Sequence, residues 1–255
     1  MNKNTTNLYI IGSLHYEDSE LFNYHKLVDV LEKIMPALIL EEKDLDWELY
    51  DENFHYKTEL FDDPSYCPTN ESKAICEYSQ KQIVKQRPID MKSFGEWCRS
   101  NKYPEKMDIL DVFIDDVYND KTKFPEKRDV IVKWIDAENN LESIKGIEDI
   151  NSLMYEDAAR NCENMINKEI LPVFESDSEL IKYCDSVKLM IDIWIKRNDS
   201  MVENSLKWIN ELKPRKAVII VGARHVYYLK DCLKKVQNMH SFELKAINGL
   251  LKQDK

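Results

Sequence analysis

Residues 8–15 read Leu-Tyr-Ile-Ile-Gly-Ser-Leu-His, and residues 218–225 read Val-Ile-Ile-Val-Gly-Ala-Arg-His. Each octet is an apolar run of strand length, followed by a glycine, two variable residues and a histidine. Helically spaced apolar residues come after each octet: Leu27, Val30, Leu31 and Ile34 in the first case, Leu229, Leu233 and Val236 in the second. We interpret the octets as two copies of a strand-turn-helix unit. The repeat predicts an α/β fold with a mixed, mostly parallel sheet.

The region between the two copies is mostly helical in pattern and poor in glycine. We therefore predict one large α/β domain over residues 1–255, with its core at 7–42 and 187–250 and a helical cap inserted at 43–186. The stretch 43–70 is acidic, rich in aromatic residues and directly follows a predicted strand, so we expect a wall or lid over the site there. His55 in that stretch is an additional candidate ligand or base, although surface exposure or packing is the commoner role.

The two histidines of the octets are the first candidates for chemistry. In an open parallel sheet, ligands bind beyond the carboxyl ends of the strands, where the loops leave for the helices. His15 and His225 would lie at that edge, and the glycine in each motif lets the chain turn sharply and approach a ligand closely. A single histidine after a strand is more often a loop or capping residue. With five histidines in the chain, however, two at the same offset after matched strands argue against chance.

A carboxylate is predicted at the same edge. Residues 36–42 read Pro-Ala-Leu-Ile-Leu-Glu-Glu, which is typical of a second buried strand that ends in two acids. A right-handed crossover would place this strand parallel to the first, so that Glu41 or Glu42 emerges beside the histidines. Two imidazoles and one carboxylate suit a divalent metal or a general acid-base pair. Taken alone, acids after a strand are commonly the solvated start of a loop.

Arg197 and Asn198 lie in the stretch 191–209, whose apolar spacing predicts an amphipathic helix. With the residues above they complete a pattern in chain order: Gly12-Ser13-Leu14-His15, Leu40-Glu41, Arg197-Asn198-Asp199-Ser200-Met201 and Gly222-Ala223-Arg224-His225. In this pattern the chain resembles the TraB/PrgY/GumN, Tiki protease and erythromycin-esterase-like superfamily. The resemblance covers residues 7–42 and 185–250. It departs from the usual motifs at Ser13, which is often threonine in the family, and at Arg224.

The resemblance implies a hydrolytic site. Tiki-like members look like metal-dependent proteases, and the esterase branch is thought to activate water with a histidine. We therefore predict hydrolysis of an amide or ester bond in a peptide or small-molecule substrate. A divalent cation, which would be Mn, Co or Zn, would be held by His15, Glu41 and His225, and its bound water would become the nucleophile. Glu42, or the ring nitrogen of a histidine that does not bind the metal, would move the proton.

The late helix motif supplies the remaining predicted roles. Arg197 would stabilise the oxyanion or hold a substrate carboxylate, and Asn198 would orient a neighbouring group by hydrogen bonding. Without a metal, one histidine would take the proton from water, Glu41 would set its tautomer, and Arg197 and the other histidine would stabilise the intermediate. The rival from another class is a protein that binds a peptide or small molecule in the same cleft without turnover. A dinucleotide site is disfavoured because the first motif lacks the further glycines.

Composition argues against several classes of partner. The formal net charge of −11 disfavours general binding to nucleic acids or anionic membranes. No apolar run approaches the roughly 20 residues that span a bilayer, and residues 1–7 lack the cationic and apolar regions of a signal peptide. We therefore expect a cytoplasmic protein whose six cysteines are free thiols, mostly buried. The sequence leaves the oligomeric state open.

Overall fold

The computed structural model describes residues 5–45, 57, 68–120, 124, 125 and 127–251. The strands in these residues are β1 (Thr6–Ser13), β2 (Leu38–Glu41), β3 (Lys85–Pro88), β4 (Lys216–Gly222) and β5 (Phe242–Leu244). They form one sheet in the order β3-β2-β4-β1-β5, and every neighbouring pair is parallel. The predicted α/β class is confirmed, with a sheet that is wholly parallel in the described part of the chain.

Helices make up most of the remaining described structure. They are α1 (Tyr24–Ile34), α2 (Asn70–Lys81), α3 (Phe94–Ser100), α4 (Tyr103–Asn119), α5 (Arg128–Ser143), α6 (Ile147–Ile150), α7 (Leu153–Met165), α8 (Leu171–Ser176), α9 (Cys184–Leu212), α10 (Val226–Val236) and α11 (Asn248–Leu251). A π-helical turn at Ile166–Ile170 joins α7 to α8, and 3₁₀ turns at Ile181–Tyr183 and Ala223–His225 precede α9 and α10. None of the helices in the described residues is long and apolar enough to cross a membrane.

The two octets are neighbours in the sheet. β1 pairs directly with β4, with Gly12 opposite Val221 and Ser13 opposite Gly222. Both strands are covered on their two faces, which is why their sequences are continuous apolar runs instead of alternating ones. The helix after β1 begins at the N-cap Asn23, whose side chain accepts a hydrogen bond from the backbone N–H of Lys26. The strand-turn-helix repeat therefore supplies adjacent central strands.

The main core of the sheet lies against the later part of α9 and against α10. It is built from buried residues of alternate strand positions and of the two helices: Leu8, Ile10, Leu38, Leu40, Ala217, Ile219 and Val221 from the strands, Met201, Trp208 and Ile209 from α9, and Val226, Leu229 and Leu233 from α10. Each buried large aliphatic side chain contributes about 1.5–3 kcal/mol through the hydrophobic effect. This packing fixes the strand ends from which the candidate site is built.

The chain divides into two compact units. The sheet unit comprises Met1–Lys92, Lys145–Glu156 and Asn198–Lys255, and the helical unit comprises Ser93–Ile144 and Asp157–Arg197. The helical unit has its own core from α4, α5, α8 and the start of α9, where the rings of Phe113 and Phe174 meet edge to face with centroids 5.4 Å apart. The stretch predicted as an inserted cap, 43–186, also supplies α2, β3 and α6 to the sheet unit.

Two sequence predictions fall wholly or partly outside the described residues. His55 and most of the stretch 43–70 lie outside them, as does Cys67. The other cysteines, Cys76, Cys98, Cys162, Cys184 and Cys232, are free thiols, and three of these five are buried. The prediction of free, mostly buried thiols is therefore confirmed for the cysteines that the structure describes.

Candidate functional site

Three strand ends meet at the carboxyl edge of the sheet unit. β1 leads into His15, β2 leads into Glu42, and β4 leads into His225. Because β4 lies between β1 and β2, side chains that follow these strands come together across it. The backbone N–H of Glu42 donates to the carbonyl of Ile220 at 3.2 Å, which carries the pairing of β2 with β4 one residue past the end of β2. The position of Glu42 is therefore set by the sheet itself.

Glu42 contacts both imidazoles. Its Oε1 lies 3.4 Å from Nε2 of His225, and its Oε2 lies 4.0 Å from Nε2 of His15. The same Oε2 accepts a hydrogen bond of 2.6 Å from the backbone N–H of Gly222. A Cβ on Gly222 would stand 3.1 Å from Nε2 of His15 and 3.3 Å from Oε2 of Glu42, so glycine leaves the room that this close approach needs. The contact between the two strand ends thus depends on the glycine of the second octet.

Glu71, at the start of α2, orients the imidazole of His15. Its Oε1 lies 2.8 Å from Nδ1 of His15. A carboxylate only accepts hydrogen bonds, so the Nδ1–H of His15 donates to it and Nε2 carries the lone pair of the neutral ring. The side chain of Glu71 is 3% exposed, whereas that of His15 is 40% exposed. A buried acid therefore fixes the tautomer of a ring that solvent can reach.

The contact between His15 and Glu71 shifts their pKa values in opposite directions. Burial and, to a smaller extent, the charge of Lys43 would lower the pKa of His15. The hydrogen bond to Glu71 and the negative charges of Glu71 and Glu42 outweigh these effects, so the pKa is raised. Burial alone would raise the pKa of Glu71, but the hydrogen bond and the positive charge of His15 outweigh it and lower that pKa. The imidazolium-carboxylate pair is thereby favoured over its neutral form.

The two shifts predict a pH window in which this pair stabilises the fold. The contribution of His15 to stability is complete below its unfolded pKa of about 6.5, and it is lost as pH rises through the raised pKa of the folded state. The contribution of Glu71 to stability is complete above its unfolded pKa of about 4.3, and it is lost as pH falls through the lowered pKa of the folded state. The pair should therefore stabilise most between those two pH values. We expect about 1 kcal/mol at most, because solvent screens the exposed imidazole.

Urea unfolding of the wild type and of Glu71→Gln across pH 4 to 8 measures this effect. The difference in unfolding free energy between the two proteins should be largest inside the window and smaller on both sides. A difference that does not change with pH would contradict the assignment of the pair. Glu77→Gln is the matched control, because Glu77 lies 3.6 Å from another histidine, His25, on the surface of the same unit.

Asn198 orients the second imidazole. Its Oδ1 lies 2.9 Å from Nδ1 of His225, and both residues are buried. An amide oxygen accepts, so the Nδ1–H of His225 donates to it, and Nε2 of His225 is left facing Glu42. The next residue of α9, Asp199, accepts a hydrogen bond of 2.8 Å from the hydroxyl of Tyr228 on α10. Two adjacent contacts thus tie α9 to the 3₁₀ turn that carries His225 and to the first turn of α10.

The two imidazoles of the site are arranged in the same way around Glu42. The Nδ1 atom of one ring is bound to Glu71 and that of the other ring to Asn198. Both Nε2 atoms face the carboxylate of Glu42. Two lone pairs that face each other repel, so each inner contact is favourable when a proton lies between the nitrogen and the oxygen. The arrangement can therefore accept, hold and return protons at a point next to solvent.

The described contacts give the other predicted site residues the following places. The carboxylate that contacts both imidazoles belongs to Glu42, whereas Glu41 is the last residue of β2, lies opposite Ile220 and is 1% exposed. The acid that holds Nδ1 of His15 is Glu71, a place for which Glu41 was predicted. Arg197 belongs to the helical unit, where its guanidinium carbon lies 4.6 Å from the centre of the Phe94 ring.

The sequence predicts a metal site formed by His15, Glu41 and His225. Imidazole nitrogens and a carboxylate are suitable donor types for a divalent cation. In the described part of the chain, however, no group of three or more His, Cys, Asp or Glu side chains is arranged to hold a metal ion. The set of His15, Glu41 and His225 is not assembled as such, and the cation stays a prediction.

Sequence reasoning missed two residues that shape the site. Glu71 carries no motif and lies 56 positions from His15, and its place in the first turn of α2 is the only local signal. Asn151 follows α6, and its amide accepts from the N–H of Gly12 at 2.6 Å and donates to the carbonyl of Gly12 at 3.0 Å. It thereby satisfies the backbone of β1 beyond the last residue that β5 pairs with, Leu8. Neither contact could be derived from spacing along the chain.

Comparison with known proteins adds no relative to this description. No protein-family model matches the chain. No curated protein and no solved structure matches it either. The resemblance to the TraB, Tiki and erythromycin-esterase-like superfamily therefore stays a prediction that rests on the four motifs.

Proposed function

We propose that this site hydrolyses an amide or ester bond in a peptide or small-molecule substrate, by general-base activation of water. One observation carries the proposal. His15 donates from Nδ1 to the buried carboxylate of Glu71 while its Nε2 faces Glu42, and its ring is 40% exposed. An imidazole that a carboxylate orients in this way is the usual form of a histidine base in acyl transfer.

The proposed reaction begins with a water at Nε2 of His15. This nitrogen takes a proton as the water oxygen attacks the carbonyl carbon, which gives a tetrahedral intermediate and an imidazolium ring. The negative charges of Glu71 and Glu42 stabilise that imidazolium, because they raise the pKa of His15. When the intermediate collapses, the imidazolium returns the proton to the leaving amine or alcohol, and the second product is the carboxylic acid.

The other imidazole has a separate role in the proposal. His225 is held through Nδ1 by Asn198, so its Nε2 keeps a fixed direction toward Glu42. As the imidazolium, with a proton on Nε2 as well as on Nδ1, this ring can donate to the oxygen that becomes negative in the tetrahedral intermediate. The carboxylate of Glu42 contacts both this ring and the ring of His15, and the Gly222 N–H holds Glu42 in place. The role of Arg197 as an additional oxyanion donor stays a prediction.

Hydrolysis with a divalent cation is the second candidate. It is favoured by the outer contacts of the two imidazoles, because proteins commonly orient metal-binding histidines by a hydrogen bond at the other ring nitrogen. The residues predicted to hold the ion are His15, Glu41 and His225, and the described part of the chain does not arrange them as a metal-binding group. Such an ion, Mn, Co or Zn, would supply a water of lowered pKa. Elemental analysis of the protein after loading with each metal, beside His225→Ala, separates this candidate from the first.

A substrate screen tests the proposal. We would assay 4-nitrophenyl acetate and a mixed peptide library, with and without a chelator, for the wild type, His15→Ala and His25→Ala. His25 is the control because it also lies near a glutamate but is exposed on the surface. We expect turnover by the wild type and His25→Ala, and a loss of at least about 100-fold in His15→Ala. Binding of a peptide without turnover would contradict the proposal and support the non-catalytic rival.

A further inference from the structure

The loop that carries His15 is bound to the first residue of α2. The backbone N–H of Asn70 donates to the carbonyl of His15 at 2.7 Å. Its side-chain amide donates to the carbonyl of Leu14 at 2.8 Å and to that of Glu17 at 2.6 Å. Asn70 is 3% exposed, so these bonds are shielded from water. One buried residue therefore satisfies three carbonyls of the loop formed by residues 14–17.

The next residue along α2 holds the ring of the same histidine. Asn70 binds the backbone on both sides of His15, and Glu71 binds Nδ1 of its imidazole. α2 is itself fixed at this point, because the Thr69 side chain caps the helix by accepting from the backbone N–H of Ser72. The first turn of α2 thus binds both the backbone around His15 and its side chain.

We infer that Asn70 is a positioning residue of the proposed site, which fixes the loop of residues 14–17 so that the imidazole of His15 meets Glu71. The inference rests on the proposed function only for its effect on turnover. The side chain of His15 is 40% exposed, so packing alone does little to hold it. A buried amide that donates to two carbonyls of the loop supplies the constraint that packing lacks.

The test uses Asn70→Ala and Asn70→Ser, with the imidazole of His15 followed by NMR titration. Both variants keep the backbone N–H that donates to His15, and both keep the charged groups that face the ring, namely Glu71, Glu42 and Lys43. We expect the titration midpoint of His15 to fall from its wild-type value toward that of Glu71→Gln, because the ring no longer meets the acid in a fixed geometry. The serine variant provides the same readout if the alanine variant folds poorly.

Turnover provides the second readout. With 4-nitrophenyl acetate as the probe, we expect kcat to fall by 10- to 100-fold and KM to change little, as a displacement of about 1 Å can cost a factor of 100. Asn23→Ala is the matched control, since Asn23 also donates from its amide to a loop carbonyl, that of Ser19, and caps α1. This control should lower stability without moving the His15 midpoint.

The two readouts separate this inference from the proposed function. A His15 midpoint that is unchanged in both Asn70 variants would overturn the positioning role, whatever the rates are. A midpoint that falls as expected, in a protein that turns over no ester or peptide, would support the positioning of His15 and would instead contradict the proposed hydrolysis.

Discussion

Glu71→Gln should lower kcat by as much as about 10,000-fold, the size of effect known for exchanging the acid that orients a catalytic histidine for its amide. A neutral glutamine amide can donate to Nδ1 of His15 and thereby place the ring proton on Nε2, where the lone pair is needed. It also removes a charge that raises the pKa of His15. The acid limb of the pH profile of kcat/KM should therefore move to lower pH, and the plateau should fall.

Glu77→Gln is the matched control for this substitution. Glu77 also lies on α2 and also approaches a histidine, but that histidine, His25, is exposed. The control should keep the wild-type pH profile. A Glu71→Gln variant that retains both the rate and the position of the acid limb would contradict the assignment of His15 as the base.

Glu42→Gln should lower kcat by about 100-fold or more, which is the size of effect expected when a fixed charge beside the reacting groups is removed. An oxygen of the glutamine amide can still accept from the N–H of Gly222, so the local backbone should hold. The charge that stabilises the imidazolium of His15 is lost, however, and the pKa of His15 should fall. Rate measurements together with an NMR titration of His15 check both expectations.

A comparison with Glu41→Gln decides between the two adjacent acids. We expect the larger loss of kcat in Glu42→Gln, because Glu42 contacts both imidazoles, with nitrogen-to-oxygen distances of 3.4 and 4.0 Å. Thermal unfolding of each variant separates a loss of fold from a loss of chemistry. An equal or larger loss of kcat in a folded Glu41→Gln variant would favour the sequence prediction, in which Glu41 is the functional acid.

The octets made the centre of the sheet predictable. Continuous apolar runs that end in glycine specify buried parallel strands, and two such runs with the same ending were found as the neighbours β1 and β4. β3 was not predicted, because its sequence, Lys85–Pro88, contains no apolar run, and β5 is three residues long. Such edge strands are defined by the strand that they pair with and carry little signal of their own.

The candidate site was predictable only in part. The histidines follow from the octets, but Glu41 and Glu42 are adjacent, and which of them faces the histidines depends on where β2 ends. Glu71 reaches His15 through the packing of α2 against the loop of residues 14–17, a contact between residues 56 apart. Contacts of this kind come from tertiary structure, which a pattern along one sequence does not encode.

The tautomer of His15 is the most direct test of the account. Nitrogen-15 NMR of the selectively labelled wild type, recorded across the titration of the ring, reports which nitrogen carries the proton in the neutral form. We expect a proton on Nδ1 and a free lone pair on Nε2, with a titration midpoint that falls in Glu71→Gln. A neutral ring protonated on Nε2, with a midpoint that Glu71→Gln does not change, would contradict it.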